Sequence, residues 1–312
     1  MKLSLVVPCY NEAENVAAFQ DAAIIAFSDC GYDFEIVFVD DGSKDATLHE
    51  LRKLYKAQKC PVKVVSFSRN FGKEAGIYAG LKQASGEYIC LIDADLQQRP
   101  EIARDMVKIL EEQPEYDVVA AYQDRRGESK ILSFFKKGFY NLINKLSNVN
   151  LKSDASDFRT FRRSVAESII SMGEYHRFSK GIFAWVGYNT CFIPYTACER
   201  AAGVSKWNFW KLFNYAIDGI IGYSTKPLRI ATFLGSMTSV AAFIYLIIVI
   251  LQKFIAGIDI PGYATIIVLI LLLGGIQLLC IGIIGEYVGR TFEQSKNRPV
   301  YIAKEILNYE EK

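Results

Sequence analysis

Histidine is almost absent from this chain: His49 and His176 are the only two in 312 residues. That argues against a histidine-based metal centre and against a Ser-His-Asp triad. The seven cysteines, Cys9, Cys30, Cys60, Cys90, Cys191, Cys198 and Cys280, form no C-x-x-C pair. Several lie in apolar runs, so they read as reduced side chains in a cytosolic setting and not as disulfides or zinc ligands. Neither sign of charge dominates: 36 Lys and Arg face 34 Asp and Glu, a net of +2. No nucleic-acid footprint stands out. No G-x-G-x-x-G follows the first strand pattern and no G-x-x-x-x-G-K-[ST] occurs, so a dinucleotide site and a P-loop both lack support. Internal repeats and low-complexity linkers are missing too.

Apolar residues make up 51% of the chain, unevenly spread. Residues 1–125 alternate strand and helix patterns. Strands are expected at Leu3–Val7, Phe34–Val39, Val62–Phe67, Tyr88–Ile92 and Val118–Ala121, with helices near 12–28, 45–57, 72–84 and 100–112. This β-α-β-α order predicts a mostly parallel sheet with helices on both faces. The opening Met1-Lys-Leu-Ser-Leu-Val-Val-Pro8 enters a strand too soon for a signal peptide.

The strands end in polar residues. The first runs into Pro8-Cys-Tyr10-Asn11-Glu12, the second into Asp40-Asp41-Gly42-Ser43, and Tyr88-Ile-Cys-Leu-Ile stops at Asp93-Ala-Asp95. Ligands of open α/β sheets sit at the carboxyl ends of strands. Paired hard oxygen donors there suit a divalent cation and a diphosphate, since magnesium is held by one or two carboxylates plus substrate phosphates. The plainer alternative is an acidic turn before a helix. Gly72, Gly76 and Gly80 share helical spacing and are expected to aid packing.

Past residue 125 the chain turns basic. Seven Lys or Arg between Arg125 and Lys152 face one acid, Glu128, with apolar residues at helical spacing between them. Such a helix lies either in a membrane interface or on the core as an ordinary surface helix. The aromatic stretch Trp207–Tyr223 predicts an interfacial helix. Two uncharged runs, 230–252 and 263–285, are long enough to span a membrane. Lys226, Arg229 and Arg290 flank their outer ends, which predicts a hairpin with both termini in the cytoplasm. Gly235 with Ser239, and Gly285 with Gly289, have the spacing of close helix contacts.

VVPCYNE, VDDGSKDAT, SRNFGKEAG and DADLQ, in that order over the first hundred residues, resemble family 2 glycosyltransferases of the GT-A fold. SDFRTF at 156–161, RFSKGIFAWVGY at 177–188, SKWNFWKL at 205–212 and the two spans narrow the resemblance to polyprenyl-phosphate glycosyltransferases. It implies a cytoplasmic GT-A domain at 1–204, juxtamembrane helices at 205–229, a transmembrane hairpin at 230–285 and a cytoplasmic tail at 286–312.

The resemblance also implies site residues. Pro8, Tyr10, Glu12 and Asp40, with Asp41 beside them, match nucleoside-binding positions. Asp93 and Asp95 match the Asp-x-Asp that binds the nucleotide diphosphate with Mg²⁺ or Mn²⁺, with Gln97 as the nearby polar position. Asp157 matches the proposed catalytic carboxylate; without the resemblance the residue reads instead as a helix N-cap or an ion-pair partner of Arg159 or Arg162. Arg200, Ser205 and Lys206 match a loop over the donor phosphates, and either Arg125 or Arg126 approximates an arginine near the acceptor phosphate. The chain departs from the pattern where Gln98-Arg99-Pro100 replaces the usual Asp-Pro-Pro, losing an acid and gaining a base beside the metal site.

The implied reaction is inverting transfer of a hexose, with UDP-glucose and undecaprenyl phosphate as expected substrates, at the inner or plasma membrane. The partners expected are a nucleotide sugar, a polyprenyl phosphate, the membrane and other copies of the chain, four by analogy with relatives. A processive polysaccharide synthase is the first alternative, but it would carry a Gln-x-x-Arg-Trp motif and more spans. A membrane-anchored nucleotide-sugar sensor or scaffold is the second. His176 is expected to bond locally.

Overall fold

A computed structural model describes residues 2–123, 144–145, 155–196, 219–256 and 262–309. The first half follows the expected alternation: β1 (Leu3–Cys9), α1 (Val16–Phe27), β2 (Phe34–Asp40), α2 (Thr47–Ala57), β3 (Val62–Phe67), α3 (Lys73–Gln83), β4 (Tyr88–Leu91), α4 (Pro100–Glu112) and β5 (Val118–Gln123). Then come β6 (Ala155–Arg162), α5 (Arg163–Ser171), α6 (Ser179–Trp185), β7 (Thr190–Tyr195), α7 (Lys226–Ala256), α8 (Tyr263–Ser295) and β8 (Ala303–Leu307).

Eight strands form one sheet in the order β7-β5-β6-β4-β1-β2-β3-β8. The central β4-β1-β2-β3 block is parallel, whereas β6 and β8 run antiparallel to their neighbours. Side chains alternate across the sheet. Leu5 and Val7 pack with α1, α2 and α4 on one face, while Val6, Val37 and Val39 pack with α3, α5 and α6 on the other. A strand buried on both faces must be apolar throughout, which is why β1 reads as a continuous run. Gly80 sets the closest helix-to-sheet approach: a Cβ there would lie 2.3 Å from Val6 Cγ1. The expected packing role of this glycine holds.

The antiparallel β6 positions the site. It pairs with β4 so that Leu91 faces Arg159, and its start therefore lies at the carboxyl end of β4. Asp157 is a strand residue, so its reading as a helix N-cap is replaced by a place beside the Asp93 turn.

The helices α7 and α8 are 31 and 33 residues long. At 1.5 Å per residue each reaches roughly 45–50 Å, beyond a hydrocarbon core of about 30 Å. Their surfaces are apolar and open: Phe233, Leu271 and Leu278 are 67%, 69% and 72% exposed. In water such a surface would be a liability; in lipid it is the expected one. No atom lies within 4 Å of a Cβ placed on Gly235, Gly285 or Gly289 among the described residues. These glycines therefore do not seat the two helices against each other.

The end of α8 docks on the segment between α5 and α6. Gln294 Nε2 donates to the Gly173 carbonyl at 3.0 Å, Tyr175 N–H donates to Gln294 Oε1 at 2.8 Å, and His176 meets Glu293. His176 thus bonds across 117 residues, not locally. Beyond α8 the segment read as a tail supplies β8, zipped to β3 with Val64 opposite Leu307.

Candidate active site

Four chain segments converge at the carboxyl edge of the central strands. The β1–α1 loop is fixed first. Asn11 adopts a left-handed φ of 55°, its N–H donates to Ser43 Oγ at 2.9 Å, and its Oδ1 accepts Lys44 N–H at 2.9 Å. Glu12 N–H donates to Thr47 Oγ1 at 2.8 Å, and its carboxylate accepts Asn15 Nδ2 at 2.7 Å. Pro8 faces Val39 in the register of β1 with β2. Pro8, Tyr10 and Glu12 are thereby brought beside the end of β2.

Asp40 and Asp41 are 1% and 4% exposed. The Asp40 carboxylate accepts Ser43 N–H at 3.0 Å and the Ser66 hydroxyl at 2.8 Å. Asp41 accepts Phe71 N–H at 2.6 Å and Gly72 N–H at 2.9 Å. Burial pushes the Asp41 carboxyl above its usual range, against the pull of those two amides. Both aspartates build loops; any contact with a nucleoside would add to these bonds. Between them and Ser43, Gly42 takes φ +63°, and a Cβ there would fall 2.4 Å from the Arg69 carbonyl carbon. Only glycine fits that approach.

Asp41 also aims α3. By holding the amides of Phe71 and Gly72 it delivers Lys73, the first residue of α3, into the crevice. Lys73 Nζ stands 2.7 Å from Asp93 Oδ1 and 3.3 Å from Asp157 Oδ2. The two carboxylates repel, and the ammonium between them compensates.

Gln98 fixes the other side of Asp93. Its Oε1 accepts Asp93 N–H at 3.0 Å, and its Nε2 donates to Asp93 Oδ2 and to Ser156 Oγ, each at 3.3 Å. The departure noted in the sequence is therefore not a lost charge alone: an amide can donate and accept here, where a carboxylate could only accept. Leu96, at φ +58°, turns the chain so that Gln97 N–H donates to Asp95 Oδ1 at 3.2 Å.

Burial pushes the Asp157 carboxyl up, but Lys73, Lys180 and Arg159 outweigh it and hold the group at about 2. Asp157 Oδ1 is buried with no hydrogen-bond partner among the described residues. Arg159 serves the backbone: it donates to the Asp157 carbonyl at 3.3 Å and to the Ser156 carbonyl at 2.9 Å. Beside it Glu74 accepts Ser179 N–H at 2.9 Å and the Ser179 hydroxyl. Burial, with Asp157 nearby, pushes the Glu74 carboxyl up to about 7.

The structure thus gathers Pro8, Tyr10, Glu12, Asp40, Asp41, Asp93, Asp95, Gln97 and Asp157 along one edge. Arg125, Arg126, Arg200, Ser205 and Lys206 lie outside the described residues, as do nearly all of the basic stretch and most of the aromatic one. Lys73, Glu74, Gln98, Ser179 and Lys180 were not singled out in the sequence as site residues. Four of them stand inside the recognised SRNFGKEAG and RFSKGIFAWVGY segments; Gln98 had no signal except its departure from the pattern.

Comparison with known proteins agrees with this arrangement. The family model for glycosyl transferase family 2 matches residues 4–170, and that for the GtrB C-terminal hairpin matches residues 226–291. The chain is 42% identical over 307 residues to the prophage bactoprenol glucosyl transferase homolog of Escherichia coli K12, covering 98% of this chain and 99% of that one. It is 40% identical over 305 residues to the bactoprenol glucosyl transferase of Shigella phage SfV, covering 97% and 98%. Among solved structures, mannosyl-3-phosphoglycerate synthase from Rubrobacter xylanophilus aligns with TM-score 0.51 at 17% identity, covering 70% of this chain and 71% of that one. Glucosyl-3-phosphoglycerate synthase from Mycobacterium tuberculosis, in complex with Mn²⁺, UDP and phosphoglyceric acid, aligns with TM-score 0.51 at 18% identity, covering 70% and 76%. At those identities the likeness is one of fold, the GT-A-like α/β sheet. The carboxylate edge, the sheet and the hairpin go together with these matches: the chain belongs to glycosyl transferase family 2, with a C-terminal hairpin of the GtrB kind.

Proposed function

We propose that the protein transfers glucose from UDP-glucose to a membrane polyprenyl phosphate of the undecaprenyl type, with inversion at the anomeric carbon. The observation that carries this reading is the crevice in which Lys73 bridges Asp93 and Asp157 at the sheet edge, beside the turn that holds Asp95, in a chain that also bears two membrane-length helices. The names of the relatives from Escherichia coli and Shigella phage SfV support glucose and bactoprenol as donor sugar and acceptor.

The donor set suits a divalent cation. Asp93 and Asp95 offer hard oxygens, and Lys73 shows that the position already attracts positive charge, at 2.7 Å from Asp93. Among the described residues no three His, Cys, Asp or Glu side chains converge, so phosphate and water would complete the shell. When bound, Mg²⁺ or Mn²⁺ would neutralise the charge that develops on the departing diphosphate. The structural neighbour bound to Mn²⁺ and UDP supports the same choice.

The remaining chemistry belongs to the chain. A phosphate monoester carries about −1.5 to −2 charge near neutrality, so it attacks without a strong base. Asp157, held at about 2, stays ionised and orients the incoming phosphate instead of storing its proton. An acceptor oxygen bonds to the anomeric carbon as the bond to the diphosphate breaks, and UDP leaves. Asp93 is committed to Lys73 and Gln98, which leaves it poorly disposed to form a covalent glycosyl intermediate and favours inversion.

The acceptor fixes the orientation. The pairing of β8 with β3 returns the chain to the same sheet after the hairpin, which supports two crossings, and Lys226, Arg229 and Arg290 at the outer ends support a cytoplasmic side for that sheet. A donor screen tests the reading: purified chain in detergent, undecaprenyl phosphate, Mg²⁺ or Mn²⁺, and a panel of nucleotide sugars. UDP-glucose should be preferred, and NMR of the product should show the inverted anomer; a retained anomer would overturn the mechanism.

A further inference from the structure

We propose that Lys180, with Lys73, forms the seat for the acceptor's phosphate against Asp157, a role that rests on the transferase reading above. The seat is built by one tie between two helices. Glu74 in the first turn of α3 accepts the Ser179 N–H at 2.9 Å together with its hydroxyl, clamping the start of α6 to the start of α3. Lys73 precedes one end of that tie and Lys180 follows the other, so both ammonium groups are brought to Asp157.

The two lysines are not equivalent. Lys73 is shared between Asp93 at 2.7 Å and Asp157 at 3.3 Å, so it belongs to the donor side as much as the acceptor side. Lys180 is partly buried and has no hydrogen-bond partner among the described residues. Its strongest charged neighbour is Asp157, followed by Arg159, Lys73 and Glu74. Burial works against its charge, which a bound anion would restore. Arg159 does not fill this role: its guanidinium donates to two backbone carbonyls and lies 4.1 Å from the Phe183 ring centre.

Asp157 contributes the complementary half. Its Oδ1 is buried and unpartnered among the described residues, an acceptor without a donor. A singly protonated phosphate monoester supplies a P–OH to that oxygen and anionic oxygens to the two ammonium groups. A sugar hydroxyl would satisfy Oδ1 but leave Lys180 unpaired. The arrangement therefore selects a phosphate over an alcohol as acceptor.

Phosphate chemistry could arrive here from the lipid acceptor or from the donor's diphosphate, and steady-state kinetics separate the two. The full chain is assayed with undecaprenyl phosphate and UDP-glucose varied in turn, and UDP binding is measured by direct titration. Lys180→Gln should raise KM for the lipid phosphate about tenfold, the weight of one charge-assisted hydrogen bond, with UDP affinity and KM for UDP-glucose within roughly twofold. Lys180→Arg, which keeps the charge, should recover much of the loss, and Lys73→Gln should raise both KM values. Inorganic phosphate should compete with the lipid in the wild type and more weakly in Lys180→Gln. An increase in KM for UDP-glucose alone would assign Lys180 to the donor and overturn the proposal, as would an unchanged KM for the lipid in the Gln variant. A wild-type chain that transfers no sugar to lipid would overturn the transferase reading itself and the seat with it.

Discussion

Arg52 and Glu305 stand 253 residues apart and meet in a forked ion pair, with Arg52 Nε 3.2 Å from each carboxylate oxygen. Around it Tyr55 donates to the Asn308 carbonyl at 2.9 Å, and the Phe67 and Tyr301 rings stack at 4.8 Å. The segment after the membrane hairpin is thereby part of the catalytic sheet. Only residues 296–302 separate the end of α8 from β8, so the hairpin is tethered closely to β3.

Removing residues 303–312 should expose the β3 edge, since β8 covers it. The expected result is a melting temperature lower by roughly 5 °C or more, with a greater tendency to aggregate. Thermal unfolding in detergent reads this directly. An unchanged melt would show that β8 contributes nothing to the fold.

Gly42→Ala should cost about 1–3 kcal/mol, because it adds an overlap with backbone to a left-handed conformation. The displaced Arg69–Asn70 backbone lies next to the two amides that hold Asp41, so UDP affinity should fall as well. Chemical denaturation and UDP titration measure the two effects separately.

Asp95→Asn should lower turnover on the order of a hundredfold or more while leaving the melting temperature near that of the wild type. Asp95 Oδ1 accepts Gln97 N–H in the turn after β4, a bond that the side-chain oxygen of the isosteric asparagine can keep. The companion Asp93→Asn should in addition free Lys73. Direct titration of Mn²⁺ should show weaker binding in both variants.

Asp157 and Glu74 have opposite pH signatures. An unfolded aspartate titrates near 3.9, and folding holds Asp157 at about 2. Its stabilising contribution is therefore present above about pH 4 and is lost as the pH falls toward about 2. Any change of rate near pH 6 belongs to another group, such as the acceptor phosphate, and should persist in Asp157→Asn at a lower plateau. Glu74 is raised to about 7, so its contribution is full below about pH 4 and lost as the pH rises through about 7. Glu74→Gln should flatten the fall in melting temperature between pH 5 and pH 8.

The parallel half of the fold was legible because strands buried on both faces must be apolar, and helices between them must be amphipathic or buried. The predicted β3 and α4 match the observed bounds. The strands β6, β7 and β8 were not legible. β6 mixes Ser156, Asp157, Arg159, Thr160 and Arg162 with two phenylalanines, and β8 is five residues long and sets Lys304 and Glu305 side by side beyond a membrane span. Their pairing partners are distant in sequence, and only the assembled sheet supplies them. The same reason hid Lys73 and Lys180. A lysine at a helix start reads as solvated until the sheet brings Asp93 and Asp157 to it. The aspartates could be read because strand ends are where ligands sit, and because their motifs matched the family.

The central claim is that the Asp93–Asp95–Asp157 crevice passes a sugar from a soluble diphosphate to a lipid phosphate. Incubating the purified chain with UDP-[¹⁴C]glucose, undecaprenyl phosphate and Mn²⁺ tests it most directly. Label should enter the organic phase in step with UDP release, and chelation of the metal should stop both. UDP release with the label left in water as free glucose, or collected as an insoluble polymer, would contradict the account.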